Sequence, residues 1–183
     1  MSSAENSLEL ISFDGEIMVV DSLKDLELSL NELRKEELLG FDTETKPSFK
    51  KGEKYSISLL QLSGAKKAYL FRLNKIGFPN GVKQILEDEN ILKVGLAIRD
   101  DLKGLKELNE FIPKSFVEIQ EVAKTKGLKS QGLQTITEEL FQKRLSKKAK
   151  LTNWEASKLT ESQILSAATD AWIGREIYLA LQN

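Results

Sequence analysis

Three apolar runs in close succession most constrain what this chain can fold into. Leu38 to Glu44 (LLGFDTE), Tyr55 to Leu62 (YSISLLQL) and Lys67 to Phe71 (KAYLF) each have the length and composition of a strand. The last two flank a Ser63-Gly64 turn signal and read as an antiparallel hairpin. Ahead of them, Glu16 to Asp21 reads as a strand. Ser22 to Glu37 reads as a helix with Ser22 as N-cap. After the hairpin, helices and strands alternate: a helix near Gly81 to Asp88, a strand Ile91 to Leu96, and a helix from just after Asp100-Asp101 to about Leu108. A short strand Ser115 to Ile119 follows, and the remainder is helical, ending in a long helix from about Thr160 to Leu181. A meander followed by alternation predicts an α/β fold, a mixed five- or six-stranded sheet flanked by helices.

At 183 residues the chain suits one domain with one core, and residues 1–14 are expected to be a loose N-terminal extension. No apolar run is long enough to cross a membrane, and the first residues lack the pattern of a signal peptide. There is no cysteine, which excludes disulfides, a disulfide-linked partner, thiol catalysis and cysteine-bound zinc. A reducing intracellular compartment, the cytoplasm, is the expected location.

The absence of histidine narrows the chemistry further. It removes the Ser-His-Asp triad, His-ligated zinc and any His general base. With 28 acidic residues and neither His nor Cys, the natural metal is a hard cation held by oxygen.

Three Asp-x-Glu pairs occur: Asp14/Glu16, Asp25/Glu27 and Asp42/Glu44. Only the third ends a strongly apolar strand. Side chains two apart on a strand share a face, so Asp42 and Glu44 project together and repel unless a cation lies between them. Asp101 follows the strand KVGL and reads two ways, as a helix cap or as a ligand just past a strand end, where α/β folds place their sites. Asp170 lies inside a helix among Ala167, Ala168 and Ala171, where a charge is costly unless paired or metal-bound. Together the four carboxylates suit two-metal phosphoryl-transfer chemistry.

These residues sit in motifs that resemble a known family. GFDTET, with SISLLQLS and AYLF, resembles the first motif region of the exonuclease domains of ribonuclease D and the Werner syndrome protein. KVGLAIRDDLKGL resembles their second motif, with Asp101 and not Asp100 at the aspartate position. LTNWEASKLTESQILSAATDAW resembles the third. The similarity runs from about Gly15 to the C-terminus. It implies a ribonuclease H-like fold and 3′–5′ exonuclease activity on a nucleic-acid 3′ end, of DNA or RNA. It also implies two Mg²⁺ or Mn²⁺ ions held by Asp42, Glu44, Asp101 and Asp170. One position departs from the pattern. The family has tyrosine four residues before the last aspartate, where it orients the attacking water; here that residue is Ser166. A sister group has histidine five residues before, where this chain has Leu165. A serine there leaves three readings: slower catalysis by metals alone, a binding module that has lost catalysis, or an introduced substitution.

Other residues are candidates for holding the substrate. Between Lys124 and Lys150 eight basic residues face two acidic ones, on a chain whose net charge is −1. Lys143, Arg144, Lys147 and Lys148 are the best phosphate-backbone candidates there. Lys103 reads as a phosphate contact or a solvated lysine. Trp154 reads as a base-stacking residue or a helix-packing aromatic. Gln61, amid Leu59, Leu60 and Leu62, reads as a surface position or as polar support. The leading function is thus a metal-dependent 3′–5′ exonuclease. The alternatives are a nucleic-acid-binding module of the same fold and a protein-interaction domain whose carboxylates are unpaired surface residues.

Overall fold

The computed structural model describes residues 7–147, 149 and 151–183. The elements are β1 (Glu16–Val20), α1 (Leu23–Leu33), β2 (Leu38–Thr45), β3 (Ile57–Ser63), β4 (Lys67–Arg72), α2 (Leu73–Ile76) and α3 (Asn80–Glu87). They continue with β5 (Leu92–Gly95), α4 (Ile98–Leu108), β6 (Phe116–Glu118), α5 (Ile119–Thr125), α6 (Leu133–Phe141) and α7 (Glu161–Ala180). The six strands form one mixed sheet in the order β1-β4-β3-β2-β5-β6. The meander β2-β3-β4 is antiparallel, while β1, β5 and β6 join in parallel. None of the described helices is long and apolar enough to cross a membrane.

Helices cover both faces of the sheet. One layer is cored by Leu30 and Leu33 of α1, Val82 and Leu86 of α3, and Leu105 of α4, against Leu39, Phe41, Leu60 and Leu62 of the sheet. The other is cored by Ile119 of α5, Ile136 of α6, and Ala167, Ala168, Ile173 and Ile177 of α7, against Leu59, Leu70 and Val94. This two-sided burial explains why YSISLLQL is apolar at both parities instead of alternating.

Helix α7 lies unusually close to β2. A Cβ on Gly40 would sit 1.8 Å from the carbonyl oxygen of Ala171, so only glycine permits this approach. Arg175 Nε fixes the register by donating to the Leu38 carbonyl at 3.1 Å.

The structure corrects three expectations. Helix α1 stops at Leu33, because residues 34–36 turn back to pair with the carbonyls of Leu30, Glu32 and Leu33. Helix α4 begins at Ile98, ahead of Asp101. Residues 7–14 are not a loose extension. Phe13 is buried beside Trp172 and donates its N–H to Thr169 Oγ1 (3.0 Å), and residues 9 and 11 pair with the Arg144 backbone. Burial of one large aromatic supplies about 1.5–3 kcal/mol, enough to hold a short segment.

Candidate metal and phosphoryl-transfer site

Strand period sets the site. Gly40, Asp42 and Glu44 alternate with Leu39, Phe41 and Thr43, so the glycine that admits α7 also directs both carboxylates toward it. On α7, Asp170 directly precedes Ala171, whose carbonyl touches that glycine. One oxygen each of Asp42, Glu44 and Asp170 consequently lies within 4.8 Å of the others. They line a cleft of about 310 Å³ with Phe41, Leu96, Leu133 and Gly174.

Asp101 approaches differently. It comes from α4, in the opposite helix layer, and meets the odd-numbered face of β2. Thr43 Oγ1 donates to Asp101 Oδ1 at 2.6 Å. The described residues therefore collect three of the four expected carboxylates into one cluster and hold Asp101 at its margin. Asp101 does not cap α4. The N-terminus of α4 is served by Glu118, whose carboxylate accepts from the N–H of Ala97 (2.9 Å) and Ile98 (3.0 Å). Glu118 also accepts from Gln120 N–H as the N-cap of α5, so one side chain ties two helix starts together. Replacing Glu118 by Ala should cost about 2 kcal/mol, measured by urea unfolding.

The electrostatics of the cluster point the same way. Burial first, then the negative charges of Glu44, Asp170 and Asp101, push the Asp42 carboxyl well above the ordinary carboxylate range. The Thr43 N–H, donating to Asp42 Oδ1 at 2.9 Å, opposes this only in part. Asp101 is also raised, chiefly by burial, against the Thr43 hydroxyl. Three hard oxygen donors, one strongly disfavoured as an anion among its neighbours, fit a divalent hard cation.

Gln61 is not a surface residue. It is fully buried opposite Asp42 in the β2–β3 register. Its Nε2 lies 3.4 Å from Glu44 Oε1 and 3.3 Å from the Ala167 carbonyl oxygen, and donates toward both. One amide thus links the two elements that carry the cluster. The available signal was the double-parity apolar run: a strand covered on both faces has no surface position. Gln61→Leu should leave the melting temperature nearly unchanged, because its Oε1 is already buried without a partner. The concentration of a divalent cation that half-maximally raises the melting temperature should rise by about ten-fold, the scale of losing a group that orients a ligand.

The substrate-contact candidates separate. Trp154 is 1% exposed, packed in the α7 layer, so it cannot stack on a base. Lys143 Nζ lies 2.5 Å from Glu9 Oε2, and Arg144 Nε donates to the Leu8 carbonyl at 2.9 Å, so both side chains hold the N-terminal segment. Lys147 is exposed, and Lys148 lies outside the described residues. Lys103 is exposed on α4 and lines a cleft of about 240 Å³ with Lys54, Tyr55 and Asp100. Ser166 lines a separate cavity of about 70 Å³ with Ser12, Ser146, Ser162 and Asp170. Asp170 forms part of the wall of both this cavity and the acidic cleft.

Comparison with known proteins fits this geometry. A family model described as 3′-5′ exonuclease matches residues 17–183. The bifunctional 3′-5′ exonuclease/ATP-dependent helicase WRN of Mus musculus is 33% identical over 98% of this chain and 14% of that protein. The chain spans 14% to 52% of the lengths of such relatives in mouse, a mimivirus and Arabidopsis thaliana. Among solved structures, the EXO domain of Aedes aegypti Nibbler superposes with a TM-score of 0.85 at 19% identity, covering 94% of this chain and 91% of that one. Escherichia coli RNase D superposes with a TM-score of 0.78 at 23% identity, covering 91% and 45%. These likenesses bear on the fold, and the ribonuclease H-like arrangement expected from the motifs holds.

Proposed function

This chain belongs to the 3′-5′ exonuclease family, and from that premise we propose that its acidic cleft hydrolyses phosphodiester bonds at nucleic-acid 3′ ends. The observation that carries the proposal is the convergence of Asp42, Glu44 and Asp170 from β2 and α7. The cofactor is a pair of Mg²⁺ or Mn²⁺ ions. When bound, such ions supply the acidity that activates water and the positive charge that stabilises the leaving oxygen. Asp42, Glu44 and Asp170, whose oxygens lie within 4.8 Å of one another, would hold the cation between them. Gln61 keeps Glu44 turned toward α7. Asp101, held by the Thr43 hydroxyl, would add a fourth oxygen donor from the opposite layer. The reading places the chain in a reducing intracellular compartment, and Lys103 and Lys147 as phosphate contacts.

Ser166 supports a second reading, a binding module of the same fold with weakened catalysis. The residue one turn before Asp170 is a serine in place of the family tyrosine, and it lines the neighbouring cavity. The two readings separate by incubating a 5′-labelled oligonucleotide, as DNA and as RNA, with the protein at saturating Mn²⁺. A ladder of 3′-shortened products supports the enzyme. Binding that weakens steeply with salt, without any shortening, supports the module.

A further inference from the structure

We propose that the loop joining β2 to β3, together with Leu151, forms a stacking groove for one unpaired base of the nucleic-acid strand that enters the acidic cleft. The inference rests on the reading of the cleft given above. The loop starts two residues beyond Glu44, just after a bulge where the β2–β3 register slips between Glu44 and Thr45. That bulge turns the chain out of the sheet beside the carboxylates. The sequence Lys46-Pro-Ser-Phe-Lys-Lys-Gly-Glu-Lys-Tyr55 then interleaves aromatic and basic residues.

The side chains make a site of defined chemistry. Phe49 is 80% exposed and Leu151 75%, the first and third most exposed large apolar residues among those described. They are not scattered: both line one groove of about 240 Å³ with Pro47, Tyr55, Lys46 and Lys50. That volume lies below the roughly 300–1,000 Å³ of pockets for drug-sized ligands, and suits a single flat ring system. Lys46 Nζ sits 4.8 Å from the centre of the Tyr55 ring and 4.0 Å from Glu155, which holds one edge of the groove. Tyr55 in turn donates to Glu53, the acidic residue on the lining. Lys50 and Lys51 are exposed and make no ion pair among the described residues.

An apolar ring with Lys50 on its rim and Lys51 beside it, neither in an ion pair among the described residues, is matched by a base with its phosphate, since stacking is tolerant of base identity and the charges meet the backbone. A protein partner would need a larger apolar area, and a paired base would not present its face. The groove therefore selects an unpaired strand.

The test is fluorescence anisotropy of a labelled twelve-nucleotide single strand and a blunt duplex in EDTA, paired with the shortening assay in Mn²⁺. Phe49→Ala should weaken single-strand binding by about ten-fold, leave duplex binding unchanged and leave the melting temperature unchanged. Lys50→Ala should lower the slope of log affinity against log salt by about one. Ile112→Ala, an exposed apolar change elsewhere, should match the wild type. If the wild type shortens the strand and Phe49→Ala binds it equally well, the groove is wrong and the cleft reading stands. If the wild type neither binds nor shortens any oligonucleotide, both fall. Concentration-dependent self-association lost in Phe49→Ala, with oligonucleotide binding intact, would assign the groove to a second copy and overturn the proposal.

Discussion

Asp42→Ala is expected to reduce 3′-end shortening to the level of a no-protein control and to erase the rise in melting temperature caused by Mn²⁺. The size of the effect follows from position. Burial raises the Asp42 carboxyl, and its negative neighbours Glu44, Asp170 and Asp101 all add to that effect. Removing Asp42 takes one of the three oxygen donors from the group that would hold the cation. Wild type and Asp42→Ala showing equal activity at saturating Mn²⁺ would sink the assignment of this cleft.

The same residue predicts a pH dependence of the metal-free protein, and its sign can be worked out. An unfolded aspartate ionises near pH 3.9. In the fold, burial and three negative neighbours hold Asp42 protonated to well above that value. Below about pH 3.9 both states keep the proton, and Asp42 contributes no pH dependence. As pH rises past it, the unfolded chain releases its proton first, so this group lowers stability with rising pH until the folded carboxyl also ionises. Asp101 shifts in the same direction and adds to the trend. Asp42→Asn should therefore melt several degrees above the wild type at neutral pH without metal. The gap should close toward pH 4, and reverse when Mn²⁺ stabilises only the wild type. A metal-free wild type that melts higher at pH 7 than Asp42→Asn would contradict the electrostatic account.

Ser166→Tyr carries the second large expectation: turnover should rise by about 100-fold at saturating Mn²⁺, the lower end of what a positioned proton-handling group contributes. Ser166 lies one helical turn before Asp170 on α7, so a longer side chain there shares a face with that carboxylate. The cavity beside it gives part of the room a ring requires. The gain should appear in kcat with little change in oligonucleotide affinity, and Asp42→Ala should abolish it in the double variant. An unchanged kcat in a well-folded Ser166→Tyr protein would show that serine is not what limits this site.

Much of this was legible in the chain itself. The apolar runs and their order predicted a mixed sheet flanked by helices, because a meander followed by alternation packs that way. The absence of His and Cys left carboxylates and hard cations. The motifs picked out Asp42, Glu44, Asp101 and Asp170, since chemistry at a strand end and a helix face is local in sequence. Trp154 and Gln61 escaped because exposure is a property of packing. An aromatic beside Asn153 looks the same whether it faces solvent or the α7 layer, and a glutamine in an apolar strand looks the same whether it ends in water or against Ala167.

What the sequence by itself determined was the chemistry available and the elements that carry it. What only the tertiary structure decided was which charges meet. Gly40 admits α7 onto β2, and that contact between backbone atoms, invisible in either segment alone, sets Asp170 against Asp42 and Glu44. The pleat sends Thr43 the other way, to Asp101 in the opposite layer. Lys143 and Arg144 turn back to the N-terminal segment, while Phe49 and Leu151, 102 positions apart in the chain, come to share one exposed groove. Composition sets how much charge and apolar surface a chain has to place. The close approach of elements far apart in sequence sets where it goes, because burial and repulsion depend on distance in space.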